Sequence, residues 1–362
     1  MRLAIDGRAF SSPAGGVRRY VSELVRALLA LEPAPDIVVC GAGADAIVPD
    51  GTDRVEAAWS PPSNAGWAAV GLPLTLRRAR FDVFHAPAYT APLWGARPLV
   101  VTLHDVSYAR HPEWYPHAND PMRRAFYRAS ARRANRVITD SSFSRREIEA
   151  AYGLRADRID VVPLAASAIF TASLDVPREP FVLHVGDLHT RRNLPMLLDA
   201  VIDLRRSQPG AAGCRLVLAG TDRGLLAPLT AAAAKAGAPD ALEYAGTPSD
   251  EALRDLYRRA SVFAYPSRYE GFGLPVLEAM ACGAPVVATS AGAVPEVTGD
   301  AAPCIDPDDA RAWRDALVAL ITSPARRAMA SDASVRRAAV FSWAETARLT
   351  RDTYARVVNG PQ

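Results

Sequence analysis

At 362 residues and 38.7 kDa the chain is too long for one ordinary domain and about right for two. Hydrophobic residues make up 49% and charged residues 22%, a balance that excludes a wholly disordered chain. The net charge of +3 is unevenly spread, with 21 Arg against 17 acids in residues 1–174 and 21 basic residues against 22 acids beyond. So mild an excess sets aside a nucleic-acid-binding protein.

No apolar run reaches the roughly 18–20 residues that span a bilayer. The opening MRLAIDGRAF places Asp6 where a signal-peptide core would lie, so no export signal is expected. Cys40, Cys214, Cys282 and Cys304 stand far apart without a CxxC pair. That spacing argues for reduced thiols in a cytoplasm, and against a zinc ribbon or a disulfide framework.

In chain order, strands are predicted at 3–6, 37–40, 83–85, 99–103, 137–139 and 160–162. After a break come strands at 181–185, 215–219, 242–244, 262–265 and 286–289. Helices are predicted between them at 17–31, 123–133, 194–206, 251–259 and 310–321, and the Ala-rich stretch 227–238 reads as a surface helix. Val-, Ile- and Leu-rich strands alternating with helices imply parallel sheets covered on both faces. Two such series imply two doubly wound α/β domains. The stretch 168–180, with two prolines and little periodicity, separates them. The expected boundaries are a first domain over 1–172, a second over 173–340, and a last amphipathic helix in 341–362 opened by Ser342.

Three local patterns invite a functional reading and also have a plainer one. Gly41-Ala42-Gly43-Ala44-Asp45-Ala46 resembles a dinucleotide fingerprint, but Pro49, Asp50 and Gly51 would stop the helix that the fingerprint needs. Asp306-Pro307-Asp308 could hold a divalent metal, yet Asp308 or Asp309 is better placed to cap the helix at 310–321. His104, His111 and His117 have no helical ligand spacing, so no metal is assigned to them.

The most specific segment is Ser267-Arg268-Tyr269-Glu270-Gly271-Phe272-Gly273-Leu274-Pro275-Val276-Leu277-Glu278. It follows a strand at its carboxyl end, where open α/β sheets bind ligands. Gly271 and Gly273 permit a tight turn, and Pro275 suits the first turn of the helix beyond, whose N-terminus can receive a phosphate. Glu270 lies before that helix and Glu278 a turn into it, so both could face one cleft and accept bonds from a diol. The plainer reading of Glu278 is an exposed helix residue. Arg191 and Arg192, in Gly186-Asp187-Leu188-His189-Thr190-Arg191-Arg192-Asn193, open another helix and could offer fixed charge to a diphosphate.

In the first half, Gly15-Gly16-Val17-Arg18-Arg19-Tyr20 is another loop where an anion could approach. His104, at the end of the strand 99–103, either contacts a substrate or joins Asp105 in capping a turn. Arg124, Arg128, Arg132 and Arg136 are spaced along one broad helix face, which is either solvated or docks on an acidic membrane. Trp67 with Arg77, Arg78 and Arg80 could touch a lipid-linked acceptor or a membrane.

Together these motifs resemble the retaining nucleotide-sugar glycosyltransferases of family 4 over nearly the whole chain, from GGVRRY at 15–20 through HD at 104–105 to FSWAETA at 341–347. The resemblance implies two facing Rossmann-like domains, the GT-B fold, the first on the acceptor side and the second binding the nucleotide-sugar, with a C-terminal helix returning to the first. It implies that Glu278 holds the donor ribose, and that Glu270 with the backbone of Gly271, Phe272, Gly273 and Leu274 holds the sugar and β-phosphate. Arg191 and Arg192 would neutralise the diphosphate, so neither metal nor cofactor is expected. Gly16 would approach the phosphates, His104 the transferred sugar, and Thr247 and Pro248 the base. Arg192 stands where the family often has Lys, Asp187 where some members have Arg, and Leu164-Ala165 where Asn-Gly is frequent.

The expected activity is retaining, metal-independent hexosyl transfer. Mannose or a related hexose would move from a GDP-sugar to a growing, lipid-linked envelope glycan such as lipopolysaccharide. The expected location is cytoplasmic, with peripheral contact on the inner membrane as an option. The alternative is a nucleotide-sugar 2-epimerase of the same architecture, which needs no acceptor.

Overall fold

The computed structural model describes residues 1–115, 120–173 and 176–360. The chain forms two compact units, one of Met1–Leu164 with the segment from Ser342 onward, the other of Ala165–Phe341. The first division, expected at 172/173, falls at Leu164/Ala165.

The first unit is built on seven parallel strands: β1 Arg2–Asp6, β2 Asp36–Cys40, β3 Asp53–Val55, β4 Val83–Ala86, β5 Leu99–Thr102, β6 Arg136–Thr139 and β7 Ile159–Val161. Their order across the sheet is β3-β2-β1-β4-β5-β6-β7, so the winding reverses between β1 and β4. β4 and β5 are buried at every residue because helices cover both faces, which is why they read as nearly continuous apolar runs, interrupted only by His85 and Thr102. β3, with the sequence DRV, is an exposed edge that needs no apolar pattern and is therefore not predicted from the sequence.

The helix Trp343–Asn359 packs within this unit. Ser342 caps it by accepting from the Glu345 amide at 3.2 Å. Its Tyr354 hydroxyl meets His85 Nδ1 at 2.7 Å, His85 Nε2 meets the Thr102 hydroxyl at 2.7 Å, and Thr102 meets the Tyr20 hydroxyl at 2.9 Å. Burial, reinforced by His104, pushes His85 down to about 3, so the ring bridges these hydroxyls as neutral imidazole.

The Arg-rich helix ends at Arg133, and Arg136 lies in β6, where it grips Asp160 with two bonds of 2.5 and 2.8 Å. Arg132 turns its Nε to the Tyr152 carbonyl at 3.0 Å. The four arginines therefore do not form one helix face. Trp67 is likewise no surface anchor, since it is 2% exposed.

The second unit has six parallel strands: β8 Glu179–Val185, β9 Arg215–Ala219, β10 Leu242–Tyr244, β11 Ala260–Tyr265, β12 Val286–Thr289 and β13 Cys304–Ile305. The order is β10-β9-β8-β11-β12-β13, with the winding reversing between β8 and β11. Its core joins Leu197, Leu198 and Val201 of the helix Leu194–Ser207 to Leu216, Leu218, Val262 and Trp313. The two-residue β13 is too short to leave a pattern in the sequence.

The fingerprint-like stretch after β2 leads into no helix. Asp309 caps the helix Ala310–Ile321 by accepting from the Ala312 amide at 3.0 Å, and Asp308 pairs with Arg268 at 2.6 Å, so the DxD reads as a capped helix start. His111 stacks on Trp114 with ring centroids 4.0 Å apart, and His117 lies outside the described residues. All four cysteines are free thiols. Among the described residues, no helix is long and apolar enough to cross a membrane.

Candidate active site

In open parallel sheets, ligands bind at the carboxyl ends of the strands where the winding reverses, because the two connecting loops part there and leave a crevice. In the second unit that point lies between β8 and β11. The loop after β8 carries Arg191 and Arg192, and the loop after β11 carries Ser267 and Glu270. A short 3-10 turn, Thr190–Arg192, aims both arginines across the crevice, and the Arg268 amide fastens the loops by donating to the Arg191 carbonyl at 2.8 Å.

The Glu270 carboxylate is buried and lies at the centre of the cluster. Its Oε1 accepts from Arg192 Nη1 and, at 2.7 Å, from the Ser267 hydroxyl, with Arg191 at 4.0 Å. Burial alone would push this carboxyl up. Arg191 and Arg192, with the Ser267 hydroxyl, more than reverse that and hold it below the usual carboxylate range. Arg192 also donates to the Tyr265 hydroxyl, and its guanidinium lies 5.1 Å from the centre of the Tyr265 ring. Its Nε is buried without a partner among the described residues. His184 of β8 stacks on Tyr265 from below, 5.4 Å between centroids, and burial together with Arg192 pushes it down to about 3.

Backbone geometry fixes Glu270 from the other side. Ala293 donates to the Glu270 carbonyl at 2.9 Å, and a side chain on Gly292, whose φ is +70°, would come within 2.7 Å of the Glu270 amide and carbonyl. Gly273, with φ +102°, turns the chain into the helix Leu274–Ala281, which has Pro275 in its first turn. The first turn of any helix leaves amides without an internal partner, a natural seat for a phosphate. Phe272 is buried against Phe341, edge to face with centroids 6.0 Å apart.

Glu278 is buried, not an exposed helix residue. Its Oε2 accepts from the Tyr257 hydroxyl at 3.1 Å. The structure thus brings Arg191, Arg192 and Glu270 together and bonds Glu278 to the helix Asp250–Arg259. Thr247 and Pro248 follow β10, just after Gly246, whose carbonyl accepts from the Gly220 amide at 2.7 Å at the end of β9.

In the first unit, Gly16 is exposed in the first turn of the helix Gly15–Leu29. His104 follows β5 and bonds through Nδ1 to Asp140 at 2.8 Å and through Nε2 to the Pro87 carbonyl at 3.2 Å, with the Tyr20 ring edge-on at 4.7 Å. Burial opposes the charged ring, but Asp140, with Asp105 and the Pro87 carbonyl, outweighs it and raises the pKa above the usual value. Asp105 instead caps the turn beyond it, accepting from the Ser107 amide at 3.0 Å. Tyr265, Ser267 and Asp140 were not singled out from the sequence. Ser267 lies inside the motif three residues before Glu270, and Asp140 follows β6 as His104 follows β5, so position at a strand end was the available signal.

Two known families match the chain, one over each half. Residues 168–337 match "Glycosyl transferases group 1", and residues 14–166 match "Glycosyltransferase Family 4". The O-antigen chain mannosyltransferase B of Escherichia coli is 31% identical over 314 residues, which are 81% of this chain and 77% of that protein. The chain belongs to the family 4, group 1 glycosyltransferases. This glycosyltransferase is also 32% identical to the MMP alpha-(1->4)-mannosyltransferase of Mycolicibacterium hassiacum, over 78% of the chain and 72% of the relative. Its fold is that of the sucrose-phosphate synthase of Thermosynechococcus elongatus, with a TM-score of 0.78, 20% identity and full coverage of both chains. The transferase relatives lend no support to the 2-epimerase alternative.

Proposed function

We propose that this glycosyltransferase moves mannose or a related hexose from a GDP-sugar to a growing, lipid-linked envelope glycan, retaining anomeric configuration and using no metal ion. One arrangement carries the reading: two guanidinium groups meet a buried, ionised carboxylate at the crevice between β8 and β11. The relative named for an O-antigen chain supports the choice of mannose and of an envelope glycan.

In this reading the diphosphate lies against Arg191, Arg192 and the turn Gly271–Leu274, the ribose against Glu278 and the base against Thr247 and Pro248. The bond from the anomeric carbon to the phosphate oxygen breaks, and its electron pair leaves with the diphosphate. The acceptor hydroxyl attacks the same face of the sugar, and its proton passes to the departing phosphate oxygen. The guanidiniums stabilise the growing negative charge without needing to reorganise, which is the work a divalent ion performs in other transferases. On the first unit we assign His104 a contact with the transferred sugar and Gly16 an approach to the phosphates, both as the resemblance implies. A lipid-anchored acceptor would bring the enzyme into peripheral contact with the cytoplasmic face of the inner membrane.

The test is incubation with GDP-mannose and extracted lipid-linked glycan in EDTA, with the product read by proton NMR. An α-linked mannose and released GDP are expected. A β-linked product, a strict need for Mn²⁺, or isomerised donor without acceptor would contradict the proposal.

A further inference from the structure

His104 and Asp140 form a pair of the kind that serves as a general base in other enzymes, but the partner on the far side of the ring excludes that role. His104 Nδ1 meets Asp140 Oδ2 at 2.8 Å, and Nε2 meets the Pro87 carbonyl oxygen at 3.2 Å. A backbone carbonyl only accepts, and so does an ionised carboxylate. Removing a proton from either nitrogen would turn a lone pair of the ring toward an acceptor oxygen. Both bonds survive only in the imidazolium.

His85 of β4 supplies the contrast. Its Nδ1 meets the Tyr354 hydroxyl and its Nε2 the Thr102 hydroxyl, both at 2.7 Å. A hydroxyl can donate or accept, so a neutral ring satisfies both partners, one nitrogen donating and the other accepting. The charge on His104 itself disfavours a second charge on His85. The first unit therefore holds one neutral and one charged imidazole, told apart by the chemistry of their partners.

The groups that face His104 sustain its charge. Asp140, which follows β6, is 3% exposed, and its Oδ1 is buried without a hydrogen-bond partner among the described residues. The ring is thus the cation that balances this buried carboxylate. Asp105 adds negative charge from the next position, while its Oδ1 accepts from the Ser107 amide and hydroxyl. Tyr20 of the helix Gly15–Leu29 and Tyr89 of the loop after β4 stand edge-on to the ring, with centroids 4.7 and 5.9 Å away. Burial pushes the Tyr20 phenol up, so it stays neutral. The Ser144 hydroxyl fastens the backbone by donating to the His104 carbonyl at 3.1 Å.

We infer that Asp140 is a positioning residue that keeps His104 doubly protonated at neutral pH, so the ring meets the transferred sugar as a cation and a hydrogen-bond donor, never as a base. This rests on the reading in which His104 contacts that sugar. A fixed positive charge favours departure of the diphosphate. A ring that already holds both protons takes none from the acceptor hydroxyl, which leaves that proton to the departing phosphate oxygen.

The experiment follows the ring nitrogens of the six histidines in the ¹⁵N-labelled full chain across pH, with His104 assigned from His104→Gln. The two nitrogens of an imidazolium resonate close together, and those of a neutral ring lie apart. At neutral pH the His104 pair should lie together and the His85 pair apart. Asp140→Asn keeps an oxygen for Nδ1–H and removes the charge, and its melting curve checks the fold. In this variant the His104 midpoint should fall by about one pH unit or more. In the GDP-mannose transfer assay the decline of kcat with rising pH should move down by the same amount. At a pH low enough to charge the ring in both proteins, kcat should agree within about twofold. A merely structural defect would lower kcat at every pH and leave the midpoint of its decline in place. His104 nitrogens that lie apart in the wild-type protein at neutral pH overturn the inference, whether or not the variant folds. So does a ring midpoint or a kcat profile that Asp140→Asn leaves unmoved. The ring titration needs no substrate. A charged His104 in a protein that transfers nothing from GDP-mannose refutes the proposed reaction and leaves the hold of Asp140 on the ring standing.

Discussion

Arg192→Ala is expected to cost about 3–5 kcal/mol of stability and to lower kcat/KM for the donor by roughly a hundredfold to a thousandfold. The stability loss arises because Arg192 donates to the Glu270 carboxylate where both side chains are 8% exposed, so truncation strands a buried charge. The activity loss arises because the same guanidinium is proposed to meet the charge that grows on the diphosphate. The two effects separate in the double variant Arg192→Ala with Glu270→Gln. That protein should regain most of the lost stability in denaturant unfolding while remaining inactive. Recovery of activity along with stability would show that Arg192 has only a structural role.

The same pair sets a pH signature. Glu270 is held below its usual pKa in the folded state, so its contribution to stability is present above that usual value and is lost as pH falls through the lowered one. In Arg192→Ala that loss should begin at higher pH, visible as an acid unfolding midpoint moved toward neutrality.

Glu278→Ala is expected to weaken nucleoside diphosphate binding at least tenfold, since charge-assisted hydrogen bonds contribute roughly 1.5–3 kcal/mol each. Wild-type enzyme should bind GDP about tenfold more tightly than 2′-deoxy-GDP, and the variant should bind the two alike, which ties the loss to a ribose hydroxyl. Removing the carboxylate also deprives the Tyr257 hydroxyl of its 3.1 Å bond, so Tyr257→Phe is the companion variant that separates stability from affinity. Equal ribose preference in wild type and Glu278→Ala would refute the assignment.

Much of the fold was legible because the central strands of both sheets are buried on both faces, and β4, β5 and β11 therefore appear as largely apolar runs with only His85, Thr102 and Ser261 interrupting them. β3 and β13 were not, because edge strands of two or three residues need no apolar pattern. Arg191, Arg192 and Glu270 were legible as loops at strand ends. Their direct pairing was not, since it depends on which strands are neighbours, and β8 and β11 are separated by two intervening strands in the sequence. Glu278 could be read either as facing the cleft or as an ordinary exposed helix residue, and only the packing of its helix shows it buried. The Asp6–Trp67 bond joins residues 61 positions apart, and no local pattern announces it.

In the proposed reaction the second unit binds a nucleoside diphosphate through its arginines without metal. The most direct measurement is the melting temperature in EDTA with GDP, UDP, ADP, dTDP and NAD, repeated with Mn²⁺. A ligand at 100 times its Kd adds about 2.7 kcal/mol, a readable rise. One nucleoside diphosphate, GDP by this account, should stabilise the protein equally with and without Mn²⁺. Stabilisation by NAD alone, or only when Mn²⁺ is present, would contradict it.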